Sequence, residues 1–251
     1  MKGFDVFEYQ IDEEKSIVVI DIEDLSYELE KEIDKYITEI WEGNTKGDIS
    51  DVKKEILKYL GEIEEEKKIG AIAEFFVHLY LKINKYDQYC LFQNLEEDRS
   101  FKKGFDGLYS LNGENWLMES KSTESTKLKH HSKVLEAYND LNKKVTGQES
   151  NNPWKNAYNH ASSKDLNVPD DVREAIRKLR MDYVDGKYTT IDKYNIIPCS
   201  TKFFVIKDDK ENRDSTKVDV ENKIESFEFK KIKAICVNNK IADLFIQYLR
   251  K

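Results

Sequence analysis

At 251 residues and 39% hydrophobic content, the chain can bury one large core or two small ones. Its 36% charged residues and net charge of −8 fit a cytoplasmic protein and argue against nucleic-acid binding through a global positive field. No apolar run is long enough to span a membrane, and the opening MKGFDVFEYQ lacks the apolar core of a signal peptide.

The β-branched run SIVVIDI at 16–22 predicts a strand. Leu25, Leu29, Ile33, Tyr36, Ile37 and Ile40 then recur at helical spacing over 25–41, until Gly43 and Gly47 interrupt. Ser50 or Asp51 can cap a second helix that carries Val52, Ile56, Leu57, Tyr59 and Leu60. Residues 1–66 hold 21 acids against 8 bases and show no chemistry of their own. They read as a partner-facing layer ahead of a domain spanning 67–251.

A third helix, over 68–83, is apolar nearly all round and is therefore expected to be buried. Glu74 is the carboxylate in its midst. A buried acid needs a partner, a raised pKa or a metal. Glu74 can reach solvent, bond to His78 one turn on, or face the residues that follow as a third acidic group. Residues 89–93 suggest a short strand and 95–103 a polar loop.

Next comes the most informative stretch, 104–122. Strand-like segments at 108–111 and 115–118 flank Asn112-Gly113, a strong two-residue hairpin signal. A two-residue loop sets Leu111 opposite Glu114, Tyr109 opposite Trp116, Leu108 opposite Leu117, and Asp106 opposite Glu119. The two carboxylates then lie about 5 Å apart. At an effective dielectric near 20 they repel by roughly 3 kcal/mol, which calls for a cation or a shared proton. Lys121, two residues beyond Glu119, shares their face. Two acids and a lysine on one face suit a metal-dependent phosphodiesterase, with Mg²⁺ or Mn²⁺ on the carboxylates and the ammonium orienting water and offsetting charge. A solvated edge hairpin is the plainer alternative.

Residues 127–144 predict a helix with Leu128, Val134, Leu135, Tyr138 and Leu141 inward. Lys127, Lys129 and Lys133 lie in its first turns, in reach of a phosphate backbone. From 121 to 144 there are six lysines against Glu124, Glu136 and Asp140, so the basic excess begins at the candidate site. The pair His130-His131 reads as surface. The polar stretch 146–170 reads as a loop or insertion with a short helix at 154–161. A helix over 172–183 is capped by Asp170 or Asp171. Strand material at 194–206 is broken at Pro198, 208–222 is a charged loop, 227–237 a strand, and 240–250 an amphipathic helix. Cys90, Cys199 and Cys236, widely spaced in apolar surroundings, fit buried thiols better than disulfides or zinc ligands. No phosphate-binding glycine loop is present, so no ATPase activity is expected. The order of elements implies a mixed α/β sandwich with the hairpin central.

A helix glutamate followed by Asp and then Glu-x-Lys on adjacent strands resembles the PD-(D/E)XK nuclease superfamily, with Glu74, Asp106, Glu119 and Lys121 matching its motif positions. Within that superfamily the chain is most similar to the nuclease subunit (HamA) of Hachiman antiphage defence systems. The likeness rests on GAIAEFFVHLYL at 70–81, on Gly104-Phe105-Asp106 followed by Trp116-Leu117-x-Glu119-x-Lys121, and on the stretches around IIPC and KAICV with the closing helix. Two features depart from that pattern: Gly107 stands where a side chain is expected, and 146–170 has no counterpart. The resemblance implies a restriction-endonuclease-like mixed sheet flanked by helices. It also implies a metal-dependent DNA nuclease controlled by a helicase (HamB-like) partner that supplies the ATP-driven step. A self-standing restriction or repair nuclease, and a non-catalytic module with a vestigial acidic pair, are the rivals.

Overall fold

The computed structural model describes residues 3–93, 104–204 and 211–251. The polar loop expected at 95–103 lies outside the described residues, as do residues 205–210, where the expected strand ends and the charged loop begins. In chain order the described elements are β1 (Asp5–Gln10), β2 (Lys15–Ile22), α1 (Tyr27–Glu42), α2 (Ile49–Glu62), α3 (Glu65–Ile83), β3 (Asp87–Gln88), β4 (Gly107–Leu111) and β5 (Glu114–Thr123). They continue with α4 (His130–Val145), α5 (Pro153–Ala161), α6 (Asp170–Val184), β6 (Asn195–Phe203), α7 (Arg213–Ile224), β7 (Lys231–Asn239) and α8 (Ala242–Leu249).

The strands form one mixed sheet in the order β1-β2-β7-β6-β5-β4-β3, which draws on both sides of residue 66. Its centre, β2-β7-β6-β5, is parallel, while β1, β4 and β3 pair antiparallel. Parallel strands are covered on both faces, so β2, β6 and β7 are buried along nearly their whole length, polar residues such as Ser200, Thr201 and Asn238 included. Alternate residues feed two cores. Val18, Ile20, Tyr109, Met118, Ile197 and Ile235 pack under α1, α2, α3 and α8. Ile17, Val19, Leu117, Ile196, Ala234 and Cys236 pack under α4 to α7. The fold is an α/β sandwich, as expected. The three cysteines are buried thiols. Among the described residues no helix is long and apolar enough to cross a membrane.

Several local expectations are corrected. Strand β1 was not foreseen; its residues are half-buried or exposed, so its apolar signal is thin. Residues 89–93 form no strand, and only Asp87–Gln88 pair with β4. Asp48 caps α2 rather than Ser50 or Asp51. Pro198 does not break β6: the ladder to β7 skips Ile197 and Pro198 and resumes at Cys199, so the missing N–H falls in the gap. The charged 213–224 segment is helical, capped by Asn212 and anchored by Thr216, Val220 and Ile224 at four-residue spacing. The 146–170 stretch is built into the second core through Trp154, Ala157, Leu166 and Val168, with Pro153 opening α5. Leu128 is exposed, not inward.

The Asn112-Gly113 turn has both residues at positive φ, 52° and 79°. A Cβ on Gly113 meets nothing within 4 Å, so only the backbone penalty applies. Gly113→Ala is expected to destabilise by about 1 kcal/mol, read from denaturant midpoints. An unchanged midpoint would show that the turn does not need glycine.

Candidate active site

The hairpin has the expected register: Leu111 pairs with Glu114, Tyr109 with Trp116, Leu108 with Leu117, and Gly107 with Met118. Asp106 stands one residue before the ladder. The Ser120 backbone N–H donates to its Oδ2 at 2.8 Å, which holds it beside Glu119. Gly107 is needed here, because a Cβ would come within 2.6 Å of the Tyr109 ring and 3.0 Å of Met118 Cε. The side chain missing from the expected pattern would collide with the hairpin's own core.

Strand alternation sends Leu117, Glu119 and Lys121 toward α4. There the structure adds two residues that the motif did not contain. Lys121 Nζ lies 3.3 Å from Glu119 Oε1 and 2.6 Å from Asp140 Oδ2. Lys144, in the last turn of α4, puts its Nζ 2.5 Å from Glu119 Oε2. Glu119 and Lys144 are 2% and 8% exposed. Lys144 continues the inward stripe of Val134, Ala137 and Leu141, so a lysine on an apolar face was the available signal.

Glu74 reaches the site from α3. Its Oε1 lies 3.2 Å from His78 Nε2, and His78 Nδ1 in turn bonds the Tyr109 hydroxyl. Glu74 thus bonds His78 one turn on, the structural alternative, and its charge also acts on Asp106. Loss of water around Asp106, with Glu119 and then Glu74 nearby, pushes its carboxyl up to about 8, against the pull of Lys144 and the Ser120 N–H. Burial opposes the charge on Lys121, but Glu119, the hydrogen bond to Asp140, and Asp106 outweigh it, so its pKa lies above the ordinary lysine value. Lys144 is raised against the same burial penalty, by Glu119 and then Asp106. Both lysines are ammonium groups, not bases.

Asp106, Glu119 and Asp140 thus stand with two ammonium groups, while Glu74 acts on Asp106 from α3. Among the described residues no group of three or more His, Cys, Asp or Glu side chains stands together as a ready metal cage. Mg²⁺ does not require one, since it binds through one or two carboxylates and keeps several waters. The donors are all hard oxygens, the ligand type these cations prefer. The residues fit Mg²⁺ or Mn²⁺.

The other sequence candidates lie apart from this cluster. Helix α4 starts at His130, so Lys127 and Lys129 precede it instead of occupying its first turns. Lys127 is exposed; Lys129 Nζ pairs with Asp219 at 2.8 Å and Lys133 Nζ with Glu136 at 2.7 Å. His130 is not at the surface. It is fully buried, bonding Ser200 Oγ through Nδ1 at 2.9 Å and Asn238 Oδ1 through Nε2 at 3.3 Å. Asn238 bonds Asp21, which also receives Arg213 Nε at 2.6 Å. This chain ties the start of α4 to β2, β6 and β7. No protein-family model matches the chain, and no curated protein matches it.

Proposed function

We propose that the chain is a metal-dependent DNA nuclease of the PD-(D/E)XK kind, with a restriction-endonuclease-like sheet. The observation that carries this reading is the hairpin register, which brings Asp106 beside Glu119 and Lys121. Asp106 and Glu119 would hold Mg²⁺ or Mn²⁺, with Glu74 on a bound water. When present, such an ion supplies Lewis-acid polarisation of the phosphodiester and lowers the pKa of water. Lys121, charged and at the rim, orients the attacking water and offsets the charge that builds on phosphorus-bound oxygen. Lys127, which is exposed, would meet the DNA backbone, and Lys129 and Lys133 could join it by exchanging surface ion pairs that are worth little.

The resemblance to Hachiman nuclease subunits supports a role in antiphage defence under a helicase partner, and the acidic 1–66 segment supplies a surface for that partner. The test is incubation on linear, nicked and supercoiled DNA with Mg²⁺, with the chain alone and with a candidate helicase. Cleavage that a chelator stops, and that Asp106→Ala lacks, is the expected result. No cleavage under any of these conditions would sink the reading. Cleavage by the chain alone would favour a self-standing nuclease. One observation favours a second reading, a non-catalytic module: Lys121 and Lys144 together occupy both oxygens of Glu119 without a metal. Calorimetry with Mn²⁺ separates the two, because the module should release no heat of binding.

A further inference from the structure

Resting on that reading, we propose that Lys144 is a built-in counter-ion at the metal position. A divalent ion would displace it, and it would then turn to a substrate phosphate. Three observations place it there. Its ammonium contacts Glu119 Oε2 at 2.5 Å in a site where both residues are almost wholly enclosed. Its charge also acts on Asp106, the other carboxylate proposed to hold the ion. Lys121 cannot take this place, because it is held by Asp140 on the other side of Glu119.

Lys144 lies in the last turn of α4, two residues before the C-cap Thr146, and its four-carbon stem can swing without unwinding the helix. A surface salt bridge of this kind would be dispensable. Here the pair is buried, and removing one partner strands a charge. Lys144 therefore keeps the acid cluster folded when no ion is bound, and any ion must compete with it. Apparent metal affinity is reduced by the fraction of molecules in which Glu119 is released. A phosphate that draws Lys144 away removes that penalty, so metal and DNA backbone bind cooperatively, each strengthening the other by the same factor.

The test is calorimetry of Mn²⁺ binding to the full chain and to Lys144→Met, with melting temperatures in chelator and in Mn²⁺. Lys144→Met is expected to bind Mn²⁺ roughly tenfold more tightly or better. Its melting temperature should fall in chelator and recover in Mn²⁺, while the parent changes little. If Lys144→Met does not fold in chelator, refolding it in Mn²⁺ is itself the expected dependence, and failure in both overturns the proposal. Lys144→Arg keeps the charge and should bind Mn²⁺ no more tightly than the parent. Equal or weaker binding by Lys144→Met while the parent binds overturns this inference alone. Absence of binding in parent and variants overturns the nuclease reading as well.

Discussion

Lys121→Ala is expected to slow DNA cleavage by roughly 100- to 1,000-fold, the loss typical when one charge-stabilising group is removed from a transition state. Folding and Mn²⁺ binding should stay near those of the parent. The structure separates these effects. Lys121 is 23% exposed and sits at the rim, whereas the enclosed oxygen of Glu119 is held by Lys144. Asp140, losing its partner, is 26% exposed and has Lys143 Nζ at 3.8 Å. Little buried charge is stranded. Because the anions around it raise its pKa, Lys121 would act by charge and not by taking a proton. Lys121→Arg should then recover part of the lost rate, since a guanidinium keeps the charge but cannot serve as a base. Single-turnover cleavage and a thermal melt on each variant give both readouts. Undiminished cleavage by Lys121→Ala would refute the assignment.

The hairpin was legible in the sequence because a two-residue Asn-Gly loop leaves one register, and period two then fixes which side chains share a face. Asp106, Glu119 and Lys121 needed nothing more. Asp140 and Lys144 were not legible, because what brings them to Glu119 is the docking of α4 across β5 and β6, a tertiary contact. The same holds for His130. Adjacent polar residues suggested a surface, but Ser200 and Asn238, distant in sequence, satisfy the ring and let it be buried. Helix α7 was hidden by composition: its inward stripe of Thr216, Val220 and Ile224 is one residue wide, and charges fill the rest. Strand β1 lies at the sheet edge, where half-burial blurs the alternation that marks a strand.

Asp106→Asn is expected to make the chelator-treated protein more stable at pH 8, by about 1–3 kcal/mol, while abolishing cleavage and weakening Mn²⁺ binding. The sign follows from linkage. The folded-state pKa of about 8 stands above the ordinary 3.8, so folding takes up a proton at this site. The stabilisation is complete below pH 3.8 and is lost progressively as the pH rises through 8. At about 1.36 kcal/mol per pH unit the whole shift sets a ceiling of roughly 6 kcal/mol. Asp106 keeps partial access to solvent, and its neighbours can relax, which brings the expected gain down to the lower range. Asparagine still accepts the Ser120 N–H through its oxygen, so the hairpin contact survives. The variant should therefore melt higher than the parent at pH 8, and the gap should narrow toward pH 5. Saturating Mn²⁺ should close it from the other side, by stabilising the parent and not the variant. A variant that melts at or below the parent at both pH values would mean that Asp106 is not under anionic pressure.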